Sequence, residues 1–250
     1  MELVVLNDYT VLALKLIIFR LMIQVTFIIW LVSNLFLIFS PTQKSDMDVT
    51  NSKDPLKNLE HLEKFSVNKT IPEEIREVTL LALSHYPELM EVKIDFQYQR
   101  KIRGSVMQAQ PKVGSLLFNK KENRAYKIKV SRHLELFDEM LPIEELPTEV
   151  LLGWLGHELG HIMDYIDRSA INLVSFGVKY YLSTSFVTEA EVAADSYSVA
   201  SGLGPAIIAT KDFVLNHERL PDAYKNKIRA LYLSPGEILS LVDVEEKEDK

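Results

Sequence analysis

The sequence predicts an α+β protein, on three observations. Segments with strict apolar alternation lie in the first half of the chain, periodic helical segments fill the second half, and a nineteen-residue uncharged run near the N-terminus stands apart from both. Strands followed by a run of helices imply a small antiparallel sheet and then a helical region, not a parallel βαβ fold. The chain divides into residues 1–40 as a membrane anchor or signal peptide, 41–58 as a polar linker, 59–242 as the folded domain and 243–250 as a charged tail.

The run from Leu21 to Phe39 reads LMIQVTFIIWLVSNLFLIF. About 20 apolar residues cross the hydrocarbon core as a helix, so this run is just long enough. Lys15 and Arg20 precede it and can snorkel to headgroups. Three readings compete: a signal anchor, which is favoured, a cleaved signal peptide, or a buried helix of the domain. Cleavage is disfavoured because no small-x-small site is present and Pro41 follows Ser40. Lys15 and Arg20 before the span, against Lys44 and Lys53 among Asp46, Asp48 and Asp54 after it, favour the N-terminus inside. The expectation is a single-pass membrane protein with its domain on the non-cytoplasmic side. Residues 41–58 are polar, carry two prolines and show no apolar period.

Within the domain, Thr70 reads as a helix cap followed by acids at Glu73 and Glu74, with the period running to Tyr86 and Pro87 as the stop. Val92 to Tyr98 alternates as a half-buried strand, and Gly104–Gln108 and Arg124–Ser131 read as further strands. Gly114 and residues 119–123 fall in turns between them. Beyond Pro147 the pattern is helical almost throughout. The end, DVEEKEDK from Asp243, reads as a solvated charge run.

Composition excludes several functions. A net charge of −7, with no Lys/Arg cluster interleaved with aromatics, argues against a nucleic-acid partner. The chain has no cysteine, which removes disulfides, Cys-ligated metal and thiol catalysis together. Any metal must be held by His and carboxylates.

One segment carries chemistry. Residues 157–161 read HELGH inside the helical stretch that opens near Pro147. Side chains four apart share a helical face, so His157 and His161 present imidazole nitrogens to one ion. Glu158 points aside and can reach a water at that ion. At this chain's His and Glu frequencies HExxH arises by chance in roughly 1% of sequences of this length. Leu151, Leu152, Trp154, Leu155 and Leu159 flank it, which marks a buried helix. Burying such a cluster unpartnered costs several kcal/mol.

A catalytic zinc site needs a third protein ligand. Downstream, Thr188 to Asp195 reads TEAEVAAD, which puts Glu191 and Asp195 on one helical face. Ala190, Ala194 and Ser198 permit close approach to the first helix. HELGH followed by EVAAD resembles the gluzincin metallopeptidases, over about residues 147–205. It is similar to the membrane-linked branch holding the heat-shock protease HtpX and the CAAX prenyl proteases, and to the ImmA/IrrE-type proteases. The resemblance implies a zincin-like fold and a Zn2+ ion held by His157, His161 and Glu191. It also implies Glu158 as catalytic base and Asp195 as the carboxylate that orients a metal-bound histidine. Glu189 is the rival third ligand, and Asp164, His133 and His217 are further polar candidates without an assigned role.

The apolar run Ser169–Phe186 reads as a core helix over the site, with an apolar lid as the alternative. A zinc-dependent endopeptidase acting on peptide or protein substrates is the reading these residues favour. An extended substrate would add to a strand such as Tyr126–Val130. The rivals are a metal-binding module without hydrolytic activity and a membrane-anchored interaction protein.

Overall fold

The computed structural model describes residues 61–248 apart from Arg103 and Asp138. The anchor expected over residues 1–40 and the linker over 41–58 lie outside the described residues. Among the described residues no helix is long and apolar enough to cross a membrane.

The fold is α+β, a small sheet against a larger helical body. Strands β1 (Lys69–Thr70), β2 (Lys93–Gln99), β3 (Met107–Pro111) and β4 (Ala125–Ser131) form one sheet in the order β1-β2-β4-β3. Alternation builds it: Ile94 and Phe96 of β2 and Tyr126, Ile128 and Val130 of β4 are buried, while Lys93, Asp95, Gln97, Ala125, Lys127 and Lys129 lie nearer solvent.

The expected antiparallel sheet is corrected here. β1 pairs parallel with β2, and β2 parallel with β4; only β3 runs antiparallel. Alternation marks a strand without giving its direction, which the connections set. Helix α1 (Arg76–Ser84) carries the chain back between β1 and β2, a compact βαβ crossover of the kind the sequence argued against. Thr70 is accordingly the last residue of β1, paired with Asp95, rather than a helix cap. Helix α1 begins only after a 3-10 turn at Glu73–Ile75. The Nζ of Lys69 lies 2.8–3.0 Å from the carbonyls of Val67, Leu89, Met90 and Val92, tying β1 to the turn before β2.

Strand β3 starts at Met107, three residues later than Gly104, which sits at φ +74° in the preceding turn. Gly114 lies within a short helix, α2 (Val113–Phe118), not a turn. Strands β5 (His133–Glu135) and β6 (Met140–Pro142) form a separate antiparallel hairpin.

Helix α3 (Thr148–Asp167) opens after Pro147 as expected and crosses the core. Helices α4 (Ala170–Leu182) and α5 (Thr184–Ser198) divide the run 169–186 in two. Both starts are capped by serine: Ser169 Oγ accepts from Asn172 N and Ser183 Oγ from Phe186 N, at 3.1 and 3.4 Å. A π-helical segment, Val199–Leu203, leads into α6 (Gly204–Asn216), followed by α7 (Asp222–Leu231) and α8 (Pro235–Glu248). Residues 243–248, expected as a charged tail, continue α8.

Helix α3 packs against α1, α5, α6 and the strand β3. Glycines let its partners come close. A Cβ on Gly160 would lie 2.4 Å from the carbonyl oxygen of Ala194, and one on Gly153 would lie 2.1 Å from Thr210 Oγ1. Tyr86 bridges three elements: its hydroxyl donates to the Gly156 carbonyl at 2.8 Å and lies 3.1 Å from Ser198 Oγ. The largest apolar cluster runs unbroken from the sheet through α1 and α3 to α7.

Candidate metal centre

The middle of α3 supplies His157, Glu158 and His161, and α5 supplies Glu191 and Asp195; all five are buried. The close α3–α5 contact at Gly160 sets the helices near enough for these side chains to meet. His157 Nε2 lies 3.0 Å from Glu191 Oε2, and His161 Nε2 lies 3.4 Å from the same oxygen. The ligand atoms of His157, His161 and Glu191 all fall within 4.8 Å of one another, so the three residues are positioned to bind a metal ion. The chemistry fits: two imidazole nitrogens and a carboxylate oxygen, at spacings bracketing the roughly 3.4 Å between ligands around a tetrahedral ion with bonds of about 2.1 Å.

His157 and Glu191 are each oriented by a neighbour. His157 Nδ1 lies 2.9 Å from Asp195 Oδ1, which leaves Nε2 to face the site. Asp195 Oδ2 accepts from Lys211 Nζ at 2.8 Å and from the Leu233 amide at 3.3 Å. Glu191 Oε1 accepts from the Tyr180 hydroxyl at 2.6 Å, so its other oxygen is the one offered to an ion. His161 Nδ1 is buried with no hydrogen-bond partner among the described residues, and its ring meets that of His157 edge-on at 4.7 Å.

Glu158 stands beside the donor set. Its Oε2 accepts from the Ala109 amide of β3. Burial pushes this carboxyl above its usual range, and the nearby His161 and His157 pull back only part of that rise. For Glu191 burial also raises, but bonds to His157 and His161 outweigh it and hold the carboxyl well below the usual range. Asp195 behaves alike: burial raises, and the bond to His157 with the charge of Lys211 brings it below. Burial disfavours the His157 cation, yet the bonds to Asp195 and Glu191 prevail and push it up to about 10.

The structure therefore gathers His157, Glu158, His161, Glu191 and Asp195, the set that the resemblance implied. Glu189 is exposed on the opposite side of α5. Asp164 is engaged by Arg168 through contacts of 2.8 Å to both carboxylate oxygens. His133 lies on β5 and His217 at the end of α6, where its ring packs on Phe213; neither belongs to the cluster. Helix α4 is a core helix over its first half, where Ala170, Leu173, Val174 and Phe176 are buried, and exposes Tyr181 and Leu182 at its end. The docking strand read at Tyr126–Val130 is corrected: β4 lies between β2 and β3, with both edges already paired, and β3 is the edge beside Glu158.

Sequence reasoning missed Lys211, Tyr180 and the Ala109 amide. Lys211 was detectable, because it falls on the buried stripe of α6 with Ile207, Thr210 and Val214, where a cation requires a partner. Beside His157 and Glu158 a small cleft of about 40 Å³ opens, walled by Trp154, Ile207, Val214, Tyr224, Ile228 and Tyr232. Comparison with family models, curated proteins and solved structures returned no match.

Proposed function

We propose that this chain is a zinc-dependent endopeptidase of the gluzincin type, with His157, His161 and Glu191 as ligands and Glu158 as general base. One observation carries the reading. A fourth buried group, Glu158, is held next to a complete three-ligand set without belonging to it, and a purely structural metal site has no use for such a carboxylate. Bound zinc polarises a scissile carbonyl and acidifies water. Glu158 takes the proton of the attacking water and returns it to the leaving amine. Its raised affinity for protons suits both halves of that exchange. Asp195 keeps His157 in the tautomer that offers Nε2, and Tyr180 keeps Glu191 to one oxygen. The small, mostly apolar cleft beside Glu158 has room for a small substrate group, and the β3 edge offers backbone groups to an extended peptide. The same reading attaches the enzyme to a membrane through residues 21–39, with the domain on the non-cytoplasmic side.

The test combines elemental analysis with peptide-library cleavage read by mass spectrometry. Wild type and Glu189→Ala should carry about one zinc per chain, Glu191→Ala should lose it, and Glu158→Gln should keep zinc while losing hydrolysis. Zinc retained in Glu191→Ala overturns the ligand set. Cleavage that survives Glu158→Gln overturns the mechanism and favours a metal-binding module without a catalytic base.

A further inference from the structure

Lys211 is 5% exposed, on α6, and its ammonium is bonded to Asp195 rather than to His157, His161, Glu191 or Glu158. Lysine is almost never buried without a partner. Its partner is Asp195, 1% exposed, whose Oδ2 lies 2.8 Å from Lys211 Nζ. The other oxygen, Oδ1, is the one that meets His157 Nδ1 at 2.9 Å. The three side chains thus form a line from α6 through α5 to α3 that ends at the ligand atom His157 Nε2. Lys211 is also fixed in place: its ammonium lies 4.9 Å from the centre of the Tyr232 ring, and that ring lies 5.4 Å from the ring of His157.

We infer that Lys211 is a positioning residue of the metal centre, acting through Asp195 to set the orientation and affinity of His157 for the ion. The inference rests on the metal-centre reading above. A carboxylate bound to histidine by one oxygen can still rotate about its own axis and pivot on its side chain. A charge-assisted bond to the second oxygen removes that freedom, and it is stronger than the 3.3 Å contact from the Leu233 amide that otherwise remains. Fixing both oxygens fixes the imidazole plane, and with it the direction of the Nε2 lone pair. His161 makes a natural contrast, since its Nδ1 has no partner among the described residues. Of the two imidazoles, therefore, His157 is the one held by a carboxylate, and a helix with no ligand of its own, α6, takes part in holding the ion.

The experiment is zinc affinity of the full chain, by competition with a chromophoric chelator, for wild type, Lys211→Met, Asp195→Asn and the double variant. Lys211→Met is expected to bind zinc roughly 10- to 100-fold more weakly, the range for groups that orient metal ligands. In the Asp195→Asn background the same substitution should change affinity less than about threefold, since its route to the metal is already cut. Packing alone makes the opposite forecast, a loss that recurs in both backgrounds. Should Lys211→Met fail to fold, Lys211→Gln serves: its side chain is one bond shorter and uncharged, so the contact is lost, and a weakening of about tenfold is expected. Wild-type affinity in the Lys211 variants, or full losses in both backgrounds, overturns the inference and leaves the metal centre standing. Absence of zinc binding in wild type overturns both.

Discussion

With both ring nitrogens at carboxylate oxygens, His157 holds a proton that a metal ion has to displace. Burial works against that proton, but Asp195 and Glu191 together push the imidazole up to about 10 in the metal-free protein. Nε2 is the nitrogen facing Glu191 at 3.0 Å and also the nitrogen a metal needs. The proton on Nδ1 stays, donated to Asp195. The sign follows directly: below about pH 10 each zinc taken up expels one proton from Nε2, so affinity rises as pH rises. Between pH 6 and 9 the association constant should climb about tenfold per pH unit from this group alone. Calorimetric titrations in buffers of different ionisation enthalpy count the released proton. Zinc uptake without proton release at pH 7 shows that His157 is already neutral and removes the argument.

Helices α3 and α5 are where local rules and tertiary packing conflict. Gly160 sits in the middle of a 20-residue helix, where replacing glycine by alanine ordinarily stabilises by about 1 kcal/mol. Here the added Cβ would stand 2.4 Å from the Ala194 carbonyl oxygen and 3.1 Å from Ser198 Oγ. The nearer neighbour is backbone and cannot rotate away, so α5 has to shift, at an overpacking cost of roughly 1–3 kcal/mol. The cost outweighs the propensity gain. Gly160→Ala should therefore lower stability to urea and, because α5 carries Glu191, weaken zinc binding as well; a variant more stable than wild type contradicts the close contact. This pair of helices also shows what the sequence makes legible. HELGH and EVAAD sit on strongly periodic segments, so the faces of His157, His161, Glu191 and Asp195 followed from spacing alone. The split of residues 169–186 was written in the serines at 169 and 183, which act as caps rather than as polar interruptions of one helix. The direction of the strands was not legible. Alternation in Lys93–Gln99 and Ala125–Ser131 is the same for parallel and antiparallel pairing, and β1, two residues long, has no period to read. The Ala109 amide was invisible for a related reason, since a backbone donor leaves no mark in the choice of residue.

At the scale of the whole molecule, the candidate metal ligands His157, His161 and Glu191 lie inside the core rather than upon it. The sheet residues Ile94, Phe96, Tyr126 and Ile128 belong to the same apolar cluster as Leu155, Leu159 and Ile162 of α3, with Ala190 of α5 and Ile228 of α7. A smaller cluster, Val199, Ile207 and Ile238, packs under α8. With one continuous cluster joining sheet and helices, the domain should unfold in a single transition rather than shed its helical half first. On the proposed reading, zinc held by His157, His161 and Glu191 would clasp α3 to α5 within that unit, so its binding energy would stabilise the entire domain. At free zinc 100 times the dissociation constant the gain is about 2.7 kcal/mol. For a domain of this size about 1 kcal/mol moves the midpoint by roughly 2–4 °C, so zinc should raise Tm by roughly 5–10 °C. A chelator should reverse the shift, and Glu191→Ala should melt at one temperature with or without zinc. Calorimetry distinguishes the alternatives by shape. A single peak displaced by zinc places the metal at the centre of the fold's cooperativity. Two peaks, of which zinc moves only one, separate the helical body from the sheet and confine the metal's hold to α3 and α5.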